Sequence, residues 1–299
     1  MAAMIWLNGE LRSDDAAKVS IFDRGFLYGD GLFETIPVYC GVPFLIDAHL
    51  RRLQDSAAAM RFVGAPSPQD WKRAVAALLA AEQTDCATLR LWMSRGINTA
   101  TGLSCTAATS PTWIAACLPA RKHAGRLYAE GASLYAVDRM HVLPSQLPTA
   151  SKHSNYLASI LAFDDVHAAG ADEALLCIPD GHVCEGAYSN LFFIFDGVVC
   201  TPPLSDGPLA GIARACIVDL ACGLGMQVEE RAIPYASLAA AGEAFITNSL
   251  IGIAPVARIL NFNSAPLDFQ TPGPMTQQLS AAYAELVQAQ TGFHWPLIA

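Results

Sequence analysis

Two spacings of apolar residues take turns along this chain, and that alternation restricts it to folds that mix helices with sheet. "SPQDWKRAVAALLAAE" (67–82) repeats its apolar positions at helical spacing, with Ser67 as cap, Pro68 in the first turn and Asp70 near the start. "ATLRLWMSRG" and "TWIAACLP" read as strands. Asn-Gly between the apolar runs of "MIWLNGELR" predicts a hairpin, and "LFETIPVYCGVPFLI" predicts a second one turning at Cys40-Gly41. Leu50, Leu53, Ala57 and Met60 predict a helix, with Asp47 as its cap. After the basic, turn-like "PARKHAGR" (119–126) the spacings alternate again. Strands are expected at "ASLYAVDR", "EALLCIP", "NLFFIFDGVVCTP", "QVEERAI" and "EAFITN", with helices near 155–167, 210–222 and 274–290. The expected class is α+β in two domains, 1–120 and 121–299.

Composition narrows the function. Hydrophobic residues make up 53% of 299 residues and charged ones 15%, enough for a large core. No apolar stretch reaches the roughly 18 residues of a membrane span. The first residues lack the basic and apolar regions of a signal peptide, so a cytoplasmic protein is expected. A net charge of −9 argues against a nucleic-acid partner. The nine cysteines and seven histidines offer no zinc-ligand spacing, so no metal is expected. Most of the cysteines sit in apolar runs and are expected to be buried and reduced. Small-molecule chemistry is the better expectation.

"TASKHSNYLASILA" (149–162) raises the chemical question, because Lys152 stands beside an apolar, helix-like run. A lysine there must find a partner or give up its proton, and the second outcome makes an amine nucleophile. An ion-paired surface lysine is the plainer alternative. "GPLAGIAR" sets Gly207, Pro208 and Gly211 before a helix whose first N–H groups suit a phosphate. In "ITNSLIGIAPV", Thr247, Asn248 and Ser249 form either a second wall of a phosphate cup or a capped turn. "HLRRL" offers His49, Arg51 and Arg52 to a phosphate, or a solvated basic face. Glu185, in "GHVCEGAYSNLFFIF", is either a solvated loop acid or the partner of a protonated ring nitrogen. An amine, a phosphate cup and a lone carboxylate together are what pyridoxal 5'-phosphate requires.

With "DRGFLYGDGLFET", "AHLRRLQDSA", "KHSNY", "GADEALLCIPDGHVCEGAYSNLFFI", "LAGIAR" and "FITNSLIGIAPV" in that order, the chain resembles the fold-type IV pyridoxal-phosphate enzymes. That class holds branched-chain and D-amino acid aminotransferases and 4-amino-4-deoxychorismate lyase. The resemblance implies a small α/β N-terminal domain and a larger cofactor-binding domain with a β-barrel-like core. It implies Lys152 as the Schiff-base lysine, Glu185 as the pyridine-nitrogen partner and Arg52 as the phosphate arginine. Gly211, Ile212 and Ala213 would start the phosphate helix, Asn248 and Ser249 would complete the cup, and Tyr156 would lie near the phenolic oxygen. Tyr28, Phe33 and Tyr39 would line the substrate pocket. Phe33 and Tyr39, an even number apart, would point the same way on a strand.

Within the class, "KHSN" and Asn248-Ser249 resemble the lyase branch, which releases pyruvate and 4-aminobenzoate for folate biosynthesis. A D-amino acid or branched-chain aminotransferase is the alternative, and intact Lys152 and Glu185 argue against a silent member. Lyases and D-amino acid aminotransferases of the class carry a carboxylate-binding arginine shortly after the position of Gly96. Here Ala100 and Thr101 stand there, leaving Arg95 as the substitute candidate. The resemblance also implies a homodimer, with "RGINTATGLS" as the loop offered to a neighbouring subunit.

Overall fold

The computed structural model describes residues 3–98, 102–105, 108, 110–120, 125–137 and 151–295. The chain forms two compact units, one of Met1–Arg121 with Ser151–Asn155 and Thr291–Phe293, the other of the remainder. The expected boundary at 119–126 falls partly on 121–124, outside the described residues. Residues 151–155, expected in the second part, group with the first because they bond along one of its strands. Phe33 N–H donates to Lys152 O and Ser154 N–H to Gly31 O, both at 2.9 Å.

In the first unit, β1 (Met4–Leu7) and β2 (Glu10–Ser13) form the expected hairpin, with Asn8 and Gly9 at φ of 51° and 100°. A short α1 (Arg24–Tyr28) leads into β3 (Gly31–Tyr39), which turns at Cys40-Gly41 into β4 (Val42–Pro43). Then come α2 (Ile46–Ala59), α3 (Pro68–Glu82), β5 (Ala87–Ser94) and β6 (Thr112–Pro119). Ser67 and Asp70 form a full capping box on α3. Asp47 is not the cap of α2; it lies in the first turn, and its Oδ1 pairs with Lys72 Nζ at 2.6 Å. The antiparallel sheet runs β2-β1-β6-β5-β3-β4. One face of β3 and β5 (Leu32, Ile36, Val38, Leu89, Leu91, Met93) packs on Leu50, Leu53 and Ala57 of α2 and Trp71, Val75 and Leu78 of α3. Each large side chain buried there contributes about 1.5–3 kcal/mol.

The second unit holds α4 (Gly125–Ala129), β7 (Ala132–Ala136), α5 (Leu157–Ala168), β8 (Glu173–Cys177), β9 (Val183–Glu185), β10 (Asn190–Phe195) and β11 (Val198–Thr201). It continues through α6 (Ile212–Gly223), β12 (Val228–Glu230), β13 (Glu243–Asn248), β14 (Gly252–Phe262), β15 (Ala265–Asp268) and α7 (Pro274–Thr291). Among the described residues these strands make a nine-stranded mixed sheet, curled as a half-barrel, in the order β12-β11-β10-β13-β14-β7-β8-β9 with β15 on β14. "NLFFIFDGVVCTP" is two strands rather than one: Asp196 and Gly197, at φ of 49° and 80°, turn β10 into β11. The long β14 escaped the sequence reading because Pro255, paired with Phe245, reads as a strand breaker.

The cysteines correct an expectation. All nine are free, yet only Cys184 and Cys200 are buried, while Cys40, Cys86, Cys105 and Cys222 are exposed at turns and element ends. Among the described residues no helix is long and apolar enough to cross a membrane. Nor, among them, does any group of three His, Cys, Asp or Glu residues suit a metal ion.

Candidate active site

Lys152 owes its position to β3. The two backbone bonds above, the Leu32–His153 bridge and a 3.2 Å bond from Asn155 Nδ2 to Gly29 O fix the 152–155 segment against that strand. Lys152 Nζ then stands 4.6 Å from the centre of the Phe33 ring. Successive β3 residues point to opposite faces, so Glu34 turns toward α2. There its Oε1 accepts Arg52 Nε at 2.8 Å, and its Oε2 accepts Arg52 Nη2 at 2.6 Å and meets His49 Nδ1 at 2.7 Å. All three side chains are buried, so Arg52 is no solvated cation. Burial by itself would raise the Glu34 carboxyl, but the Arg52 charge and the His49 and Arg52 hydrogen bonds hold it down at about 2. Burial, against the pull of Glu34, lowers His49.

The face of the sheet that carries Phe33 also carries a cation the sequence reading passed over. Phe33 pairs with Trp92 and Thr35 with Arg90 in the β3–β5 register. The Arg90 guanidinium lies 4.4 Å from the Phe33 ring centre and 5.1 Å from that of Trp92. The signal was present in "TLRLWMS": Arg90 and Trp92 alternate with Leu89, Leu91 and Met93, which fill the core on the other face. Tyr39 points as Phe33 does, but its ring is stacked on Phe293 at 4.7 Å. Tyr28 is exposed beneath the Arg24 guanidinium.

Arg95 is a correction. Its Nε and Nη2 bond both oxygens of Asp30, Nη1 donates to Arg61 O and Nη2 also to Met60 O, and its plane covers the Phe62 ring at 4.2 Å. A guanidinium spent in this way ties β5 to the end of α2 and has no fork left for a substrate carboxylate. Arg24, also bound to Asp30, gathers the carbonyls of Gly102, Leu103 and Ser104. Ala100 and Thr101 of that loop lie outside the described residues.

In the second unit two segments converge on Leu209. Glu185, at the end of β9, accepts Leu209 N–H on Oε2 at 2.9 Å, and Asn190 Nδ2 donates to Leu209 O at 2.9 Å. Gly211 then precedes α6, and a Cβ there would meet Asn190 Oδ1 at 2.0 Å. With no side chain capping this helix, its first N–H groups, at Ile212 and the buried Ala213, present the positive end of the helix dipole. Asn190 pairs with Thr247 across β10 and β13, and the fully buried Thr247 Oγ1 has no partner among the described residues. Asn248 is a turn residue: its Oδ1 accepts Leu250 N–H and Ile251 N–H at 2.9 and 3.0 Å. Its amide therefore shapes the 248–251 turn, and partly buried Ser249 sits within that turn. Tyr156 is the N-cap residue of α5. The bare Gly211 Cα, the helix start without a side-chain cap, the buried Thr247 hydroxyl and the Glu185 carboxylate fit a ring that bears a phosphate.

The profile of the amino-transferase class IV family matches residues 31–259. Over 282 residues the chain is 33% identical to a putative branched-chain-amino-acid aminotransferase of Methanocaldococcus jannaschii, covering 94% of this chain and 96% of that one. The crystal structure of the Escherichia coli branched-chain amino acid aminotransferase superposes with a TM-score of 0.88 at 29% identity, over 99% of this chain and 98% of that one. The 4-amino-4-deoxychorismate lyase of Pseudomonas aeruginosa superposes with a TM-score of 0.81 at 31% identity, over 97% of this chain and all of that one. The chain belongs to the class IV amino-transferase family, the fold-type IV pyridoxal-phosphate enzymes.

Proposed function

We propose that the chain is a pyridoxal-phosphate-dependent branched-chain amino acid aminotransferase, acting as a cytoplasmic homodimer. The observation that carries it is the Lys152 amine held over the Phe33 ring, on the sheet face that also bears Arg90. The likeness to branched-chain aminotransferases over nearly the whole chain supports the substrate class. Nine free thiols suit a reducing compartment.

When bound, the cofactor supplies a ring that takes up the electron pair left as the substrate's α proton departs. Lys152 Nζ would be the group that takes up and returns that proton. Glu185 would hold a proton on the ring nitrogen, which would keep the ring a strong electron acceptor. Arg52, whose plane Glu34 fixes, would bind the phosphate. Ile212 N–H, Ala213 N–H and Ser249 are proposed for the same role. Tyr156 would contact the phenolic oxygen. Arg90 receives a carboxylate, and the rings of Phe33 and Trp92 exclude water and take the branched side chain.

This ordering reverses the one drawn from the sequence, where the lyase came first. Its two signals have local uses: Asn248 closes a turn, and the backbone of "KHSN" and Asn155 stitch Lys152 to β3. The lyase remains as a second reading, favoured by the full-length likeness to the Pseudomonas aeruginosa enzyme. Leucine, isoleucine or valine with 2-oxoglutarate should yield the keto acid and glutamate, and Lys152→Ala should abolish this without altering the circular dichroism. Pyruvate and 4-aminobenzoate from aminodeoxychorismate, with no keto acid from any branched-chain substrate, would establish the lyase. Turnover of D-alanine or D-glutamate alone would establish a D-amino acid aminotransferase.

A further inference from the structure

Glu173, on β8, is fully buried, and no cation pairs with it among the described residues. Its carboxylate is instead ringed by donors. Oε1 accepts the N–H of Ala174 at 2.7 Å and that of Ala187 at 2.9 Å, Oε2 accepts the Ser189 hydroxyl at 2.7 Å, and Tyr188 N–H is directed at the same group. Three of these four donors come from the turn that follows Glu185, which Gly186 N–H closes on Ser189 O at 2.7 Å. The fit leaves no room: a Cβ on Gly186 would lie 2.5 Å from Ser189 Oγ and 2.7 Å from Glu173 Cδ.

An unpaired acid in such a place is expensive. Burial, larger than the four opposing hydrogen bonds, pushes its carboxyl up to about 7. A glutamine would avoid that cost, but its NH2 end can only donate, so it could meet Ser189 Oγ only if that hydroxyl turned its own proton elsewhere. A carboxylate accepts at both ends and satisfies all four donors at once. The turn it organises begins one residue after Glu185, whose backbone pairs with Leu176 of the same strand β8.

We propose that Glu173 is a positioning residue that holds the 186–189 turn closed and thereby aims the Glu185 carboxylate, with Leu209 and the start of α6 carried along. This rests on the proposed pairing of Glu185 with the cofactor ring. The test compares Glu173→Gln, Glu185→Gln and the double variant in the full chain, reading the absorption maximum of bound pyridoxal phosphate and the affinity of the apoprotein for it. Glu173→Gln should shift the absorption in the same direction as Glu185→Gln and weaken affinity by about tenfold, about 1.4 kcal/mol. The double variant should be no weaker than Glu185→Gln alone, the non-additivity of residues acting through one another. If Glu173→Gln lowers only the melting temperature while Glu185→Gln moves the absorption, Glu173 is merely structural and the inference is overturned. If neither substitution moves the absorption, the pairing of Glu185 with the ring fails and takes the inference with it. Should Glu173→Gln not fold, Ser189→Ala removes one donor from the same carboxylate. A smaller shift in the same direction supports the proposal, and an unchanged absorption overturns it.

Discussion

At the scale of single residues, the contrast between two arginines five positions apart on β5 and its end is informative. Arg90 lies on an aromatic face beside Lys152's ring partner, whereas Arg95 is committed to Asp30 and two carbonyls. Arg90→Gln should raise KM for the amino acid substrate by about tenfold or more, the value of a lost charge-assisted pair, with little change in melting temperature. Arg95→Gln should do the reverse, costing about 1–3 kcal/mol of stability and leaving KM within about twofold. Steady-state kinetics and urea titrations of the two variants check both halves. Equal KM values for Arg90→Gln and the wild type would remove Arg90 from the substrate site.

At the scale of elements, the join between β3 and α2 is a buried ion pair and its stability should follow pH. Glu34 sits at about 2 in the fold against 4.5 when unfolded. It therefore contributes stability above pH 4.5 and loses it as pH falls toward 2, on the order of 3 kcal/mol in all. Glu34→Gln should flatten the stability curve in that window. At neutral pH it should cost about 3–5 kcal/mol, because it leaves Arg52 buried without its anion. Unfolding midpoints measured from pH 2 to 7 test this, and a parallel curve for the variant would refute it. The junction of β10 with α6 makes a second case. Gly211→Ala would drive a methyl into Asn190 Oδ1, and Asn190 cannot swing aside without losing Leu209 O. The apoprotein's affinity for pyridoxal phosphate should fall by at least about tenfold. Gly223→Ala, at the other end of α6 with open space around it, serves as the control and should bind normally.

At the scale of the whole molecule, the first unit exposes a dense apolar patch. Ile21, Phe22, Phe26 and Leu27 are 64%, 64%, 74% and 48% exposed, and Phe26 and Val19 border a cavity of about 360 Å³ lined also by Trp92 and Ile114. Leu103, 80% exposed, tops the loop that Arg24 pins. Patches of this kind on soluble proteins mark contact surfaces, and the expected partner is a second copy of the chain. Sedimentation at assay concentration should give a dimer, and Phe22→Asp with Phe26→Asp should dissociate it and reduce activity together. A fully active wild-type monomer would refute the assembly.

The sequence by itself determined what short-range chemistry can encode. Asn8-Gly9 and Cys40-Gly41 made their turns and Ser67 with Asp70 capped α3, because each acts on its immediate neighbours. Lys152, Glu185 and Gly211 could be singled out as candidates too, since each stood out from its apolar or helical context. What the sequence left open depended on residues far away along the chain. Whether an arginine is available or consumed was decided for Arg95 by Asp30, 65 residues distant, and for Arg52 by Glu34 across a strand and a helix. Asn248 is a local exception: its Oδ1 closes a turn on Leu250 and Ile251, two and three residues on, one of the two uses the sequence had left open. Glu173 looked like any strand residue until the 186–189 turn closed over it. Hydrogen-bond donors and acceptors are local properties; which of them remain available is settled by the tertiary packing that surrounds them.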